Sequence, residues 1–429
     1  MPTLTAAELA TLNAGGSITL SPPAAVVTPP PPPPPPTKAK VKWNPGLFMM
    51  SVDINNSTAG EMHEIDVLAA GMAANPQLKG IITGYALYRD WKTLQPSAKG
   101  VYDFTSIDTT NAYLQSKLPG FSLDIQVRPY ANWLSAFSAT AGESILPAYL
   151  YNGDPLTYGQ ASKGGQGAAW GLVNYTAATQ KYAYVAAALW NPNVMAEWTA
   201  LFGALERKYG ANPLIEGYKD FGPSEMMNFT GCPTTPPDFN GGQLATNWLN
   251  RCAALRAVTP NTLMGLMPGY LPSGWAMATL YPIVKEMAAQ GIAISCTDVL
   301  WHKTGQDLTY AQNMLIGNID YPAAGQNVWK PGGPVLTGTT SSWPTVQPED
   351  WEAGAPTPDS AAQVTGVLGV CYNTLKADHV SLALASEFTF DPATDFYNPT
   401  TKKNGYIIEG ILAAGGIPAA NRPVPTAYT

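Results

Sequence analysis

The chain has 429 residues, of which 45% are hydrophobic and 12% are charged, and its formal net charge is −7. This length fits one large domain or two ordinary ones, and the hydrophobic share is sufficient for a packed core. The acidic balance and the lack of a basic run argue against a nucleic-acid partner. The lack of a stretch of about 18 apolar residues argues against a membrane span.

The first 40 residues differ in composition from the rest of the chain. Residues 1–20 have no Lys or Arg and no apolar core segment, which is not the pattern of a signal peptide, and Thr5 to Glu8 fits the capping box of a short helix. Residues 21–40 include eight consecutive prolines, which favour polyproline II over roughly 25 Å at about 3.1 Å per residue. We expect an anchor at 1–20 that binds a virion or other protein partner, and a stiff linker at 21–40. A disordered tail and a ligand for a proline-binding domain are the alternatives.

From residue 41 to residue 429, strand-like and helix-like segments alternate. The apolar runs predict eight strands, at 47–54, 80–88, 123–129, 214–221, 263–267, 291–298, 334–340 and 379–386. Helical periodicity occurs between most of them, and a long insertion follows the third strand. This order predicts an α/β domain, a (β/α)8 TIM barrel, in which right-handed crossovers bring the C-terminal ends of all strands to one face.

Three carboxylates follow predicted strands at the face where barrel enzymes carry out chemistry. Glu225 comes after the fourth strand, Asp298 ends the sixth, and Glu387 ends the eighth. The alternative, non-catalytic interpretation of each is a solvated loop acid or a hydrogen-bonding residue at the rim of the barrel. Glycosidic cleavage needs one carboxylic acid that protonates the leaving oxygen and a second carboxylate. The two lie about 5–5.5 Å apart in retaining enzymes and about 6.5–9.5 Å apart in inverting ones.

The region of the second predicted strand resembles a known family of enzymes. Residues 84–96 read GYALYRDWKTLQP, and residues 100–108 read GVYDFTSID. In (β/α)8 glycoside hydrolases of the large retaining clan, the corresponding strand ends in Arg, and a Trp, an acid–Pro pair and a G-x-Y-D-F-x-x-I-D run follow. Gln95 replaces the acid here. Over the rest of the chain the resemblance lies in the order of the strands.

The resemblance implies a mechanism with two glutamates. It implies an acid/base Glu after the fourth strand, where Glu225 lies, although a Ser replaces the family's usual Asn before it. It also implies a nucleophilic Glu at the end of the seventh strand. The predicted seventh strand runs into residues 340–343 without a carboxylate. We therefore rank Asp298 first, Glu387 second and Glu349 third as the partner of Glu225.

Basic and aromatic side chains near the strand ends are candidates for substrate contacts. A guanidinium holds carboxylates in a bidentate way, so Arg89 and Arg128 could orient a carboxylate or bind an acidic sugar. Structural ion pairs explain them equally well. Asp90 is expected to pair with Arg89 or Lys92. Aromatic rings stack on the apolar faces of sugars, although packing explains any single ring. The remaining candidates are Trp91, Trp133, Trp301 and Trp343, with His302 as a hydrogen-bonding neighbour.

No cofactor or metal is predicted. Four cysteines without CxxC spacing and three histidines do not form a zinc pattern. Cys232 and Cys252 either pair across a long loop or remain thiols. The acidic segment from Asp391 to Asp395 could still bind a calcium ion.

The sequence therefore predicts a glycoside hydrolase that cleaves a bacterial extracellular or surface polysaccharide by carboxylate acid/base catalysis. The N-terminal segments are similar in arrangement to those of phage-associated depolymerases, which implies a location on a virion or outside the cell. The alternative is a non-catalytic carbohydrate-binding or structural virion protein on a barrel fold. The missing carboxylate after the predicted seventh strand favours that alternative.

Overall fold

The computed structural model describes most of the chain beyond residue 40. The described residues are 41–51, 58–134, 146–151, 169–176, 180–221, 241–268, 277–296, 299, 315–317, 336, 338–347, 360–386 and 391–428. All of them belong to one compact unit, which spans Lys38–Thr429. The predicted anchor at 1–20 and linker at 21–40 lie outside the described residues and stay predictions.

Eight parallel strands form one sheet and are numbered in chain order. They are β1 (Gly46–Met50), β2 (Ile82–Asp90), β3 (Ser122–Arg128), β4 (Ile215–Asp220), β5 (Leu263–Leu266), β6 (Ala293–Ile294), β7 (Thr345–Val346) and β8 (His379–Ala383). Within the sheet the order is β7-β8-β1-β2-β3-β4-β5-β6, so strands that follow one another in the chain are neighbours. Each strand is buried on both faces, as expected for parallel strands between helices.

Backbone hydrogen bonds between the two end strands close the sheet into a barrel. The Ile294 amide donates to the Ser341 carbonyl at 2.9 Å, and the Thr345 amide donates to the Cys296 carbonyl at 2.8 Å. Ile294 also forms a parallel bridge with Ser342. Because β6 and β7 are joined in this way, the sheet has no free edge, and the prediction of a closed (β/α)8 barrel is confirmed.

Helices surround the barrel and connect most of the strands. They are α1 (Thr58–Ala74), α2 (Thr105–Lys117), α3 (Pro192–Tyr209), α4 (Gly241–Val258), α5 (Met277–Ala289), α6 (Ala361–Gly369) and α7 (Tyr406–Ala414). The side chain of Asn191 accepts from two amides of the first turn of α3, and Ser360 caps α6 in the same way. Among the helices that the structure describes, none is long and apolar enough to cross a membrane.

The predicted insertion after β3 contains a small antiparallel sheet. Its strands are Tyr130–Leu134, Gln180–Ala187 and Ala169–Thr176, with Gln180–Ala187 in the middle. The Ala187 amide donates to the Pro129 carbonyl at 2.9 Å. Pro129 directly follows β3, so the insertion leaves and rejoins the barrel at the C-terminal end of that strand.

The seventh strand lies later in the chain than predicted. Where 334–340 was expected as the strand, Gly338 and Thr339 lie in a turn: Gly338 has φ +85°, and the Thr339 amide donates to the Leu336 carbonyl at 3.2 Å. Pairing with β6 begins at Ser341 and continues into β7. The apolar run that suggested a strand therefore precedes the barrel wall, and the wall itself is built from a polar segment.

Residues 41–45 lie across the N-terminal end of the barrel. The Asn44 amide donates to Glu216 Oε1 at 2.8 Å, and its side-chain nitrogen donates to Oε2 at 2.6 Å. The Trp43 ring meets the His379 ring at 4.9 Å in an edge-to-face contact. Glu216 and His379 stand at the beginnings of β4 and β8. This end of the barrel is therefore filled, which leaves the C-terminal edge, called the mouth below, as the place for a site.

Candidate functional site

A charged and aromatic group, called the mouth corner, occupies the mouth at the ends of β2, β3 and β4. It consists of Tyr88, Asp90, Arg128 and Phe221. Asp90 and Arg128 are register partners, and Arg128 Nη2 lies 3.3 Å from Asp90 Oδ1. Their side chains are 14% and 19% exposed, respectively. The guanidinium lies 4.9 Å from the Tyr88 ring centroid, and the Tyr88 and Phe221 rings meet edge to face at 5.3 Å.

The mouth corner combines an acceptor, a donor and an aromatic surface in one place. The Asp90 carboxylate accepts hydrogen bonds, the Arg128 guanidinium donates them, and Tyr88 adds a ring. This combination suits a ligand rich in hydroxyl groups, because each hydroxyl both donates and accepts. The structure therefore places Arg128 at the mouth as predicted, but already paired with a carboxylate.

Arg89 lies on the opposite face of β2, away from the mouth. Its guanidinium forms a buried double contact with the Glu61 carboxylate of α1, and Arg89 Nε donates to Ser106 Oγ of α2 at 3.0 Å. Its Nη2 also donates to Thr110 Oγ1 at 3.2 Å. Arg89 thus ties β2 to two outer helices. The alternative of a structural ion pair is correct, and a substrate contact is not.

Two predicted substrate tryptophans are packing residues. Trp91 is fully buried, its ring lies 4.7 Å from the Trp198 ring, and its Nε1 donates to Gln95 Oε1 at 2.8 Å. Trp343 is also fully buried, inside the barrel, where it contacts the rings of Phe48 and His379. Trp343 was expected beyond the end of a strand, but it belongs to the segment that pairs with β6. Both substrate predictions are therefore wrong.

A network of polar side chains, called the barrel-core cluster, fills the interior beneath the mouth. Its members are Asp124, Gln126, Lys219, Thr345 and Ser381, and all are fully buried. Lys219 Nζ donates to Ser381 Oγ at 2.7 Å and to Thr345 Oγ1 at 3.0 Å, and it lies 3.8 Å from Asp124 Oδ2. It also lies 4.3 Å from the Trp343 ring centroid. Gln126 Nε2 donates to Asp124 Oδ2 at 2.8 Å.

Burial controls the ionisation of the charged pair in this cluster. It raises the pKa of Asp124 to about 6, although the Lys219 ammonium acts in the opposite direction. It lowers the pKa of Lys219 to about 7, against the attraction of Asp124. Removal from water thus outweighs the mutual attraction of the two groups, as is usual for charges inside a protein.

The barrel-core cluster also shows how β4 and β7 are related. The bond from Lys219 to Thr345 spans the interior and joins these two strands directly, although β5 and β6 separate them in the wall. The same ammonium donates to Ser381 of β8, so β7 and β8 both lie across the interior from β4. Glu225 follows the end of β4 by five residues, and Glu349 follows the end of β7 by three. With β7 at Thr345–Val346, Glu349 is the first carboxylate in the chain after the seventh strand.

Several predicted site residues lie outside the described residues. They are Glu225, Asp298, Trp301, His302, Glu349 and Glu387, together with the side chain of Trp133. Their positions in the chain can still be compared with the observed strands. Asp298 follows β6 by four residues, and Glu387 follows β8 by four. These roles stay predictions.

The described residues offer no evidence for a bound metal or a disulfide. No group of three His, Cys, Asp or Glu side chains that could hold a metal occurs in the described part of the chain. Asp391 caps a helical turn through the Ala393 amide, and Asp395 accepts from the Ser386 amide at 2.8 Å, so both serve the loop after β8. Cys252 is a buried thiol that donates to the Trp248 carbonyl at 3.3 Å, which rules out pairing with Cys232.

No family model matches the chain, and no curated protein matches it. Similar solved structures include the catalytic domain of a beta-amylase from Paenibacillus polymyxa, at 8% identity and a TM-score of 0.48 over 86% of this chain and 97% of that one. A GH5_18 variant from Streptomyces cattleya in complex with Manb1-4GlcNAc has 11% identity and a TM-score of 0.46 over 90% and 78%. Endo-glycoceramidase II from Rhodococcus sp. has 12% identity and a TM-score of 0.46 over 88% and 80%. The barrel assignment rests on the strand register and not on these similarities.

Proposed function

We propose that this protein is a glycoside hydrolase that cleaves a polysaccharide at the mouth of the barrel. In this proposal Glu225 is the general acid and Glu349 is the second carboxylate. The observation that carries it is the Lys219–Thr345 bond, at 3.0 Å, by which β4 reaches β7 across the interior, as it reaches β8 through Ser381 at 2.7 Å. Two carboxylates that follow facing strand ends are what glycosidic cleavage requires.

The mouth corner supports a carbohydrate as the ligand. Asp90 and Arg128 supply an acceptor and a donor within 3.3 Å of one another, and Tyr88 supplies a ring beside them. A sugar with adjacent hydroxyls can accept from the guanidinium and donate to the carboxylate at the same time. The corner would therefore hold a sugar unit near the carboxylates without taking part in bond cleavage.

Glu349 replaces Asp298 as the preferred partner of Glu225. The earlier ranking depended on a seventh strand that ended at residue 340, far from any carboxylate. With β7 at Thr345–Val346, Glu349 comes three residues after the strand, closer than Asp298 comes to β6. The non-catalytic alternative depended on the same misplaced strand, and in this proposal Glu349 supplies the carboxylate that it took to be missing.

The test is release of reducing ends from a panel of bacterial polysaccharides. Glu225→Gln and Glu349→Gln keep the size of the side chain and remove the carboxyl group. Each should lower the rate by about 10²-fold or more on the polymer that the wild type cleaves. Glu352→Gln, three residues further along the same connection, is the matched control and should keep the wild-type rate.

Asp298→Asn and Glu387→Gln complete the series. If Asp298→Asn loses most of the cleavage rate and Glu349→Gln keeps the wild-type rate, Asp298 and not Glu349 is the second carboxylate. If the wild type binds a polymer but releases no reducing ends, the non-catalytic carbohydrate-binding alternative replaces the proposal. A location on a virion or outside the cell is supported by the composition of residues 1–40 alone.

A further inference from the structure

We infer that the glycan held at the mouth carries no acidic groups, an inference that rests on the proposed function and specifies its substrate class. It reverses the expectation that Arg89 and Arg128 bind an acidic sugar. Guanidinium is the side-chain group best suited to bind a carboxylate or sulfate, so the positions of the arginines indicate whether the mouth can hold an acidic sugar.

All six arginines of the chain lie in its described part, so their positions can be compared directly. Four of them are committed to structure away from the mouth. Arg89 pairs with Glu61, Arg251 pairs with Asp220, Arg256 donates to the Thr262 carbonyl, and Arg422 donates to the Ile417 carbonyl.

The two remaining arginines stand at opposite ends of the fold. Arg207 lies in the last turn of α3, which leads to the N-terminal end of β4. Of the six arginines, only Arg128 places its guanidinium at the mouth, and Asp90 lies 3.3 Å from it. To hold an anionic group, Arg128 would have to exchange this neighbour for the ligand. The anion would then lie beside the displaced Asp90 carboxylate.

The loop sequences add charge of the same sign. The stretches that follow the strands and lie outside the described residues contain thirteen Asp or Glu residues, three Lys and no Arg. An anionic polymer also meets a protein whose net charge is −7, which lowers its rate of association. A glycan without acidic groups does not meet this barrier. The hydroxyl groups of such a glycan can donate hydrogen bonds to Asp90 and accept them from Arg128 at the same time.

The test compares two forms of the same polymer. An acidic bacterial polysaccharide and its carboxyl-reduced derivative, in which each carboxylate becomes a hydroxymethyl group, differ in charge and share the backbone. Binding is measured by affinity electrophoresis, and cleavage by reducing ends. Native neutral polysaccharides are included in the panel. We expect wild type to bind and cleave reduced or neutral polymers, and to bind the acidic form at least tenfold more weakly at low salt.

Asp90→Asn should raise the affinity for the acidic form by roughly tenfold, since it releases Arg128 to form a charge-assisted hydrogen bond with the ligand. The gain should shrink as salt is raised, because the contact is partly exposed. Asp66→Asn is the matched control. It removes the same charge from a partly exposed pair with Lys117 on the outer helices and should leave both affinities unchanged.

The outcomes separate this inference from the proposed function. If the wild type binds and cleaves the acidic form better than the reduced form, the inference is wrong and the glycosidase proposal stands. If the reduced form is bound but not cleaved, the glycosidase proposal fails and the inference stands. An Asp90→Asn variant that gains no affinity for the acidic form, while Asp66→Asn keeps both affinities, would contradict the inference. Equal effects of the two substitutions on the acidic form would overturn it.

Discussion

Neighbouring residues of β2 serve opposite sides of the same strand. Arg89 turns outward to Glu61, whereas Tyr88 and Asp90 belong to the mouth. The sequence correctly places all three near the end of a strand. It does not show which face each occupies, because the period-2 pattern has no polar contrast when both faces of a parallel strand are buried. For the same reason Asp90 was expected to pair with Arg89 or Lys92, whereas Arg89 pairs with Glu61 and Asp90 lies 3.3 Å from Arg128 of the next strand.

The first prediction concerns the charged pair of the barrel-core cluster. Lys219→Met removes the ammonium and leaves the Asp124 carboxylate in the barrel interior without its cation. At about pH 6.5, between the pKa values of Asp124 and Lys219, both groups carry charge, and the free energy of unfolding should fall by about 3–5 kcal/mol, the usual result of breaking a buried pair. The loss should be smaller at pH 5, because burial raises the pKa of Asp124 to about 6 and the neutral acid tolerates the interior.

The direction of this pH effect follows from proton linkage. Asp124 binds its proton more tightly in the folded state than in the unfolded one, so its burial destabilises the fold as pH rises through about 6. Lys219→Met/Asp124→Asn removes both charges and should recover most of the stability that the single variant loses. Urea denaturation at both pH values measures these differences. An equal loss at pH 5 and at about pH 6.5 would mean that Lys219 acts through its contact with Trp343.

At the level of whole elements, the order of the barrel strands could be predicted, and the exact place of β7 could not. The other strands overlap their apolar runs because parallel strands between helices need such runs. The segment around β7 instead reads Ser-Ser-Trp-Pro-Thr-Val, and its Ser341, Ser342 and Thr345 are buried. Ser341 and Thr345 tolerate the interior through side-chain hydrogen bonds: Ser341 Oγ donates to Asp378 Oδ1 at 2.5 Å, and Thr345 Oγ1 accepts from Lys219 Nζ at 3.0 Å. The Ser342 backbone amide donates to Asp378 Oδ2 at 3.1 Å. These hydrogen-bond partners come from distant parts of the chain, so the local sequence has no pattern that predicts a buried strand.

The second prediction tests the contact between β4 and the segment that precedes β7. A Cβ on Gly217 would lie 2.4 Å from the Trp343 ring, a distance that real contacts do not reach. Gly217→Ala should therefore lower the free energy of unfolding by about 1–3 kcal/mol through overpacking. Gly369→Ala is the control, because nothing lies within 4 Å of that position at the end of α6.

The control variant Gly369→Ala is expected to change the free energy of unfolding in the opposite direction or not at all. Gly369 has helical backbone angles, so alanine there should leave stability unchanged or raise it by about 0.5–1 kcal/mol. Urea denaturation measures both variants. If Gly217→Ala is as stable as the wild type, the Trp343 ring does not fill the barrel beside β4, and the placement of β7 that supports Glu349 is undermined.

Across the whole molecule, the two ends of the barrel are built for different purposes. The mouth carries the partly exposed pair of Asp90 and Arg128. The other end is sealed by residues 41–45 over a buried cluster, in which His379 lies 2.7 Å from Asp378 and 3.1 Å from Glu216. The sequence could place the site at the mouth, because topology alone assigns that face. It gave no sign of the sealing cluster, whose members come from distant parts of the chain.

The third prediction is that this cluster makes the stability of the barrel depend on pH. Burial opposes a charged imidazole, but Asp378 and Glu216 outweigh it and raise the pKa of His379 to about 9. Because the unfolded value is lower, near 6.5, the folded state holds the proton over this interval and loses stability as pH rises from about 6.5 to about 9. His379→Gln removes the titrating group. The difference in unfolding free energy between the wild type and this variant should therefore shrink by roughly 3 kcal/mol across that interval.

His63→Gln, on the exposed side of α1, controls for the loss of a histidine as such and should follow the wild-type profile. Urea denaturation at several pH values supplies the measurement, and the wild-type minus variant difference removes the contributions of other titrating groups. The direction in which this difference in unfolding free energy changes with pH is the result that decides the prediction. A neutral His379 that only packs against Trp43 and Trp343 would give a difference that stays level with pH. A difference that grows with pH would require a histidine whose protonation is opposed by its surroundings, which two carboxylates within 3.1 Å do not allow.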